Sequence, residues 1–321
     1  QLFYYKFTET PLLKRMDAVK DYFIDSWETL KGRNISEDDQ EMLQMKFDKM
    51  YTTKDIYTIY NWMLDDCGCD LLPEVPYEKR KLPYEDVFPM LYLKYRLSGG
   101  NSTHKNIKHL VIDEMQDYTY LQYTILESLF HCRMTILGDR AQTLDTKQQD
   151  VLRFLPKLLG REIRTIEIKK SYRNTLEIAR YAEKVSGVSD LELLDRHGKE
   201  VVEKTFNTDT ELLDELVCHL KCPGDFETAA LITTTEEEAF DLSRLLKLRG
   251  INVSYVDRNS STFKKGLTVT TFYLAKGLEF DQVFALRGAK ENPLKNQAEY
   301  ICATRALHEL YVYEIADSLS K

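Results

Sequence analysis

The most constraining feature of this chain is a short apolar run that ends in acidic residues. Leu110–Ile112 is followed directly by the string DEMQD, Asp113–Asp117. Such a run predicts a buried strand, and Asp113 would then emerge at the carboxyl edge, where open α/β sheets bind ligands. A carboxylate there can hold a Mg²⁺ that bridges nucleotide phosphates, and Glu114 could polarise an attacking water. A solvated strand end explains the string equally well, so the rest of the chain has to decide.

From Lys108 onward, short apolar runs alternate with longer helical stretches. This alternation predicts parallel sheets flanked by helices, the α/β class. The predicted strands are Leu110–Ile112, Met134–Leu137, Arg164–Ile168, Ala229–Ile232, Asn252–Val256, Leu267–Thr270, Val283–Leu286 and Leu310–Tyr313. Before Lys108, three- and four-residue apolar spacing predicts helices over Leu12–Leu30, Asp55–Leu64 and Tyr84–Leu97, with another helix start at Ser36.

Composition sets limits on the class of protein. The 321 residues are enough for two domains, and a hydrophobic fraction of 43% supports real cores. No apolar stretch approaches the ~18 residues of a membrane span, and no signal-peptide pattern opens the chain. The net charge of −8 argues against a simple nucleic-acid-binding domain, which is usually basic. The six cysteines are read as ordinary thiols rather than zinc ligands or disulfides, which favours a cytoplasmic location.

Four further motifs follow DEMQD in a fixed order. They are Gly138-Asp139 with Gln142 beyond, Lys170–Thr175, Thr270–Phe280 containing KGLEF, and Tyr300–Ala306 containing ATRA. The ordered set resembles motifs II to VI of superfamily 1 helicases of the UvrD/Rep/PcrA type, from about Leu82 to the C-terminus. The resemblance implies RecA-like P-loop NTPase lobes, with ATP and Mg²⁺ as cofactors. It also implies a helicase or translocase that moves 3′ to 5′ on a single-stranded DNA track.

The resemblance gives each matching residue an expected role. At the hydrolysis site, Asp113 would hold Mg²⁺ and Glu114 would activate water, while Gln142, Arg173 and Arg305 would act on the γ-phosphate. Around the nucleotide, Tyr172 would stack on the adenine and Glu279 would contact the ribose beside Gly277. On the nucleic-acid side, the matching residues are Thr271, Tyr273 and Lys276. Taken singly, such arginines are more often surface ion-pair partners and such a tyrosine a packing residue, so only the joint order favours these roles.

The domain division rests on what the chain lacks. No G-x-x-x-x-G-K-[ST] phosphate loop occurs, so we expect that loop to lie before Gln1. The predicted ranges are 1–105 for a helical insertion and lead-in, 106–158 for the end of the first lobe, and 159–321 for the second lobe. The large subdomain that UvrD-type enzymes insert before motif V is missing, since Val256 is separated from Leu267 only by Asp257–Gly266. This compactness resembles the HelD branch, which is associated with bacterial RNA polymerase.

Two departures from the family pattern concern nucleic acid. Tyr273 stands where the family usually has a histidine, and the stretch Thr143–Gln148 lacks the usual aromatic residues on which bases stack. They favour the alternative of a HelD-like ATPase that remodels RNA polymerase with little unwinding. A degenerate NTP-binding scaffold is the third interpretation, and the intact acidic and arginine motif residues argue against it.

Overall fold

The chain folds into two compact units. The computed structural model describes residues 1–99, 104, 106–144, 151–160, 163–188, 191–221, 226–260, 265–288 and 292–316. Unit 1 comprises Gln1–Asp113, Tyr118–Ile136 and Val151–Arg161, and unit 2 comprises Glu114–Asp117, Leu137–Asp150 and Glu162–Lys321. The four residues after Asp113 therefore belong to unit 2, although the strand before them belongs to unit 1. The three predicted domain ranges stay a prediction.

Unit 1 is mainly helical. Its helices are α1 (Leu12–Lys31), α2 (Glu37–Asp48), α3 (Ile56–Asp66), α4 (Tyr84–Ser98), α5 (Tyr120–Leu129) and α6 (Val151–Leu159). Polar side chains define several helix starts, because they accept backbone N–H groups that have no partner within the helix. Ser36 accepts the N–H of Asp39 at α2, and Thr119 forms a reciprocal capping box with Gln122 at α5.

The sheet of unit 1 consists, in the part described, of two parallel strands. Strand β1 (His109–Ile112) pairs with β2 (Arg133–Ile136), with Ile112 opposite Ile136. Ile112 is buried in a cluster with Tyr123 of α5 and Leu155 of α6. This packing fixes the end of β1 and so places Asp113 just beyond its carboxyl end.

Unit 2 is built on a six-stranded sheet in which every neighbouring pair is parallel. The strands run in the order β5 (Val202–Phe206), β10 (Ala306–Ile315), β9 (Phe280–Arg287), β6 (Thr228–Thr233), β8 (Gly266–Thr271) and β7 (Ser254–Tyr255). A separate parallel pair joins β3 (Lys170–Ser171) to β4 (Glu192–Leu193). The helices are α7 (Leu176–Ser186), α8 (Asp209–Lys221), α9 (Glu236–Leu248) and α10 (Lys295–Arg305).

Both faces of this sheet are buried, as a parallel sheet requires. Alternate strand residues face opposite sides: Ile232 lies in a cluster with residues of α7 and α10, whereas its neighbour Leu231 lies in a cluster with residues of α8 and α9. In the second cluster the rings of Phe284 and Tyr311 stack at 4.6 Å between centroids. The near-continuous apolar character of these strands follows from burial on both sides.

The predicted α/β class, with parallel sheets flanked by helices, is confirmed. Seven of the eight predicted strands overlap observed ones, but the predicted strand Arg164–Ile168 is wrong. Residues 163–169 form no strand, and Ile166 and Ile168 are 69% and 81% exposed. A β-propensity pattern forms a strand only when a neighbouring strand takes its ladder hydrogen bonds, and here pairing begins only at Lys170.

Most of the non-aromatic stretch after Gln142, Asp145–Gln148, lies outside the described residues, as does one of the six cysteines, Cys222. Among the helices that the structure describes, none is long and apolar enough to cross a membrane.

Candidate nucleotide site in unit 2

The acidic string turns sharply as it leaves β1. Glu114 has a φ of 52°, the left-handed region that non-glycine residues seldom occupy and that often marks functional sites. The turn is held by the backbone N–H of Met115, which donates to the carbonyl of Leu137 at 2.8 Å. The buried side chain of Gln116 donates to Glu114 Oε2 at 2.5 Å and accepts the N–H of Asp139 at 3.1 Å. One amide side chain therefore holds the Glu114 carboxylate against the segment that follows β2.

Gly138 allows this close approach of the two segments. A Cβ at this position would lie 2.5 Å from Oε1 of Gln116 and 2.7 Å from the backbone nitrogen of Met115. Both distances are well inside van der Waals contact, and the backbone nitrogen cannot turn away because its N–H is bonded to Leu137. Glycine is required at 138 for steric reasons.

Asp139 organises the segment that carries Gln142. Its Oδ1 accepts the N–H of Ala141 at 3.0 Å, and its Oδ2 accepts Gln142 Nε2 at 3.0 Å. The buried hydroxyl of Tyr300, in α10, donates to the same Oδ2 at 2.8 Å. Burial raises the pKa of Tyr300, and the negative charge of Asp139 raises it further. The tyrosine is therefore a neutral donor at any ordinary pH, and it helps to orient the Gln142 amide.

Arg305 is the most deeply buried charged side chain that the structure describes, with 3% of its surface exposed. Its guanidinium donates to the carbonyl of Leu278 at 3.2 Å, to the hydroxyl of Thr304 at 3.3 Å and to Gln142 Oε1 at 3.5 Å. Its Nε has no hydrogen-bond partner among the described residues, and no described carboxylate forms an ion pair with it. A cation buried in this way has capacity left for an anionic ligand.

The electrostatic surroundings of Arg305 connect several predicted site residues. Burial lowers the pKa of Arg305, and the positive charge of Arg173 lowers it further. The carboxylates of Glu114, Glu279 and Asp139 act in the opposite direction. The five charges come from five separate stretches of sequence and lie in one compact unit.

Arg173 and the nucleotide-side residues lie on the more open part of this arrangement. Arg173 Nε forms an ion pair with Glu279 at 2.7 Å, and both side chains are a little under half exposed. Tyr172 is 63% exposed, which leaves its ring face open for stacking. Gly277 has a φ of 77°, which allows the loop of KGLEF to turn just before Glu279. Two arginines and an open aromatic ring can together hold a phosphate chain and a base.

The three residues predicted on the nucleic-acid side have internal partners or are buried. Thr271 is 1% exposed, and the hydroxyl of Tyr273 donates to Glu236 at 2.9 Å. The side chain of Lys276 is only 8% exposed and forms an ion pair with Asp117 at 2.6 Å. Nucleic acid would have to displace these partners in order to reach the tyrosine hydroxyl or the lysine amine.

Asp113, the predicted Mg²⁺ ligand, lies in unit 1 as an exposed residue just past β1. Among the described residues, no three His, Cys, Asp or Glu side chains are grouped to hold a metal ion. Mg²⁺ at nucleotide sites usually takes one or two carboxylates, with water and phosphate oxygens as its other ligands. An accessible carboxylate at the end of a strand fits that requirement.

The geometry thus brings Glu114, Gln142, Arg173, Glu279 and Arg305 together within unit 2. It also adds side chains to which the motifs assign no role: Gln116, Asp117, Asp139 and Tyr300. All four lie inside the motifs. Gln116 and Asp117 belong to DEMQD, Asp139 follows Gly138, and Tyr300 begins the segment that contains ATRA. Only the three-dimensional structure shows that they bond the motifs to one another.

Among the solved structures that are similar to this chain are two helicases. No family model matches the chain, and no curated protein matches it in sequence. The C-terminal domain of a possible DNA helicase from Lactobacillus plantarum WCFS1 aligns at 26% identity and a TM-score of 0.38, over 45% of this chain and 88% of that domain. The PRRSV helicase aligns at 16% identity and a TM-score of 0.39, over 82% of this chain. The chain spans 46% of the length of that viral helicase.

Proposed function

We propose that this chain carries part of the ATP-hydrolysing centre of a UvrD-like superfamily 1 enzyme that moves on nucleic acid. The observation that supports the proposal is Arg305, a buried guanidinium with an unbonded Nε and no described carboxylate in an ion pair. Burying an unpaired charge costs several kcal/mol, so such a group persists where a ligand uses it. A γ-phosphate site requires cationic donors, a polar side chain that orients the attacking water, and a base. Arg305 lies beside Gln142 and near the charges of Glu114 and Arg173, which can fill these roles.

The residues divide the work of such a site between them. Bound ATP and Mg²⁺ would supply the phosphoryl group and the charge that stabilises its transfer. Glu114, positioned by Gln116, would take the proton of an attacking water. Gln142, oriented by Asp139, and the two arginines would hold the phosphate oxygens. Asp113 is proposed to hold the metal, and Tyr172 to stack on the base.

The substitution Glu114→Gln tests this proposal in the full-length protein. The amide keeps an oxygen that accepts the hydrogen bond of Gln116, but it is not a base. We expect kcat to fall by ~10²–10⁴, the range typical of a lost general base, while nucleotide affinity is kept. Glu127→Gln, at an exposed glutamate of α5, is the matched control and should leave turnover unchanged. A Glu114→Gln enzyme within twofold of wild type would contradict the assignment.

A second candidate is an ATPase of the HelD type that remodels RNA polymerase. The internal bonds of Tyr273 and Lys276 and the burial of Thr271 favour it, because they weaken the case for a nucleic-acid track. Single-stranded DNA should then stimulate turnover only weakly, whereas RNA polymerase should stimulate it strongly. Strong DNA stimulation that falls steeply with salt, together with efficient unwinding, would instead support the translocase.

A further inference from the structure

Lys276 joins three segments that are distant in sequence. Its amine lies 2.7 Å from Asp117 Oδ1 and 2.6 Å from Oδ2, and it donates to the backbone carbonyl of Gln142 at 3.0 Å. Asp117 ends the acidic string, Gln142 follows β2, and Lys276 lies in the loop between β8 and β9. All three belong to unit 2.

The bonding capacity of the amine is fully used. A lysine ammonium has three donors, and three acceptor atoms lie around this one. With 8% of the side chain exposed, water replaces few of these contacts. A nucleic-acid phosphate could take this amine only by displacing Asp117, which is a cost that an exposed lysine does not carry.

The bonded segments carry the residues proposed to act on ATP. The backbone N–H of Asp117 donates to the carbonyl of Glu114 at 2.9 Å, so the position of Asp117 fixes that of Glu114. Lys276 also holds Gln142, because its amine donates to the backbone carbonyl of that residue. On the other side of the link, Lys276 directly precedes Gly277 in the loop that leads to Glu279.

We propose that Lys276 is a positioning residue, which holds the Glu114 turn and the Gln142 segment on the KGLEF loop through its buried ion pair with Asp117. It acts on the reaction through Glu114 and Gln142 rather than by binding a nucleic-acid phosphate. The positioning part rests on the proposed function, whereas the link itself does not.

The link is tested in the full-length protein by amide hydrogen exchange, which needs no nucleotide. In Lys276→Met, the amides of Asp117 and Gln142 should exchange faster by about 5- to 30-fold. This increase lies between those expected from losing an exposed ion pair and from losing a fully buried one. Lys265→Met is the matched control, because Lys265 forms an exposed ion pair with Glu227 in the same unit, and it should leave these amides unchanged. Unchanged exchange in Lys276→Met would overturn the proposal.

Asp117→Asn is the second variant and covers the case in which Lys276→Met fails to fold. It keeps the shape and one acceptor oxygen, so its effect should have the same direction and a smaller size. In the double variant the exchange should be no faster than in Lys276→Met alone, because both changes remove one interaction. Additive effects would show that the two residues act separately.

The positioning role is tested by kinetics of the full-length protein. Lys276→Met and Asp117→Asn should both lower kcat, by about 5- to 100-fold for Lys276→Met, since small displacements of reacting groups are costly. Neither should change oligonucleotide affinity or its salt dependence. If Lys276→Met instead reduces the salt slope by about 1 while Asp117→Asn does not, Lys276 is a phosphate contact and the proposal is wrong. If the wild type hydrolyses no ATP, the proposed function fails, and the exchange data still decide whether the link exists.

Discussion

Replacing Arg305 by methionine should leave unit 2 as stable as before or more stable. The two clear hydrogen bonds of the guanidinium, to Leu278 and Thr304, are worth about 1.5–3 kcal/mol each as bonds to a charged donor. Against them stands the desolvation of a charge that is 3% exposed, which costs several kcal/mol. The contact with Gln142, at 3.5 Å, adds little. Methionine has a similar length and keeps the packing, so we expect the free energy of unfolding to be unchanged or raised by up to ~2 kcal/mol.

The assay has to report on unit 2 specifically. Both tryptophans of the chain, Trp27 and Trp62, lie in unit 1, so tryptophan fluorescence follows the other unit. Hydrogen exchange at buried amides of α10 and β10, such as those of Ile301 and Val312, reports the opening free energy of unit 2 directly. The same variant in the full-length protein should lose about 10³–10⁵ in kcat, the range for an arginine that stabilises phosphoryl transfer.

Arg287→Met is the contrasting control within the same unit. Arg287 forms ion pairs with Glu203, Glu299 and Glu314, and its side chain is 23% exposed. Removing it leaves Glu299, which is only 11% exposed, without its cation, so unit 2 should lose about 2–4 kcal/mol, somewhat less than for a fully buried pair. If Arg305→Met destabilises as much as Arg287→Met, Arg305 is a structural ion, and the argument from its unbonded Nε is refuted.

Two further predictions concern packing and pH. Gly138→Ala should lower the unfolding free energy of unit 2 by about 1–3 kcal/mol, because the new Cβ overpacks the turn. Adding Gln116→Ala should not restore stability, since the backbone nitrogen of Met115 still lies 2.7 Å from that Cβ. His197→Gln should lower the melting temperature most between pH 4.5 and 6.5. The hydrogen bond between His197 and Glu177, at 2.8 Å, raises the pKa of His197. The stability that the histidine contributes is therefore complete below pH 6.5 and is lost as pH rises through the raised pKa. The same bond lowers the pKa of Glu177 to about 2, so the stability that the glutamate contributes is present above pH 4.5 and is lost as pH falls through about 2. Equal melting temperatures of wild type and variant at about pH 5.5 would contradict this.

The sequence predicted the central strands of unit 2 because they are buried on both faces. Ala229–Ile232 and Val283–Leu286 are apolar without interruption, and the structure extends each of them to a longer strand, β6 and β9. Strand β5 was missed, since three of its five residues are exposed and its Glu203 and Lys204 break the apolar pattern. Its pairing with β10 holds it in place, and such pairing between distant segments is not visible in local sequence.

For the candidate site, the order of motifs predicted which residues meet but not how they are held. The sequence marks Glu114 and Gln142 by their place in motifs. It does not show that Gln116 and Asp139 orient them, because hydrogen bonds between segments depend on the fold. Nor does it show that Lys276 is buried, since a lysine in a loop is exposed in most proteins.

Some unfavourable features of unit 2 fall on residues of the candidate site, and this bears on whether the site is functional. Buried hydroxyls without a described partner occur at Thr175, Thr268 and Tyr313 as well, so the argument concerns the backbone of Glu114 and the charge of Arg305. Glu114 occupies a left-handed backbone conformation, Arg305 has an unbonded buried Nε, and the hydroxyl of Thr271 is buried without a partner among the described residues. By contrast, Arg287, which lies outside the candidate site, has its charge fully paired. A chain under selection for stability alone would remove such costs, and proteins keep them where a ligand or a reaction uses them. The costs at Glu114 and Arg305 fall on the two residues that we assign to the base and to the phosphate, so a ligand should stabilise unit 2 through Arg305 in particular.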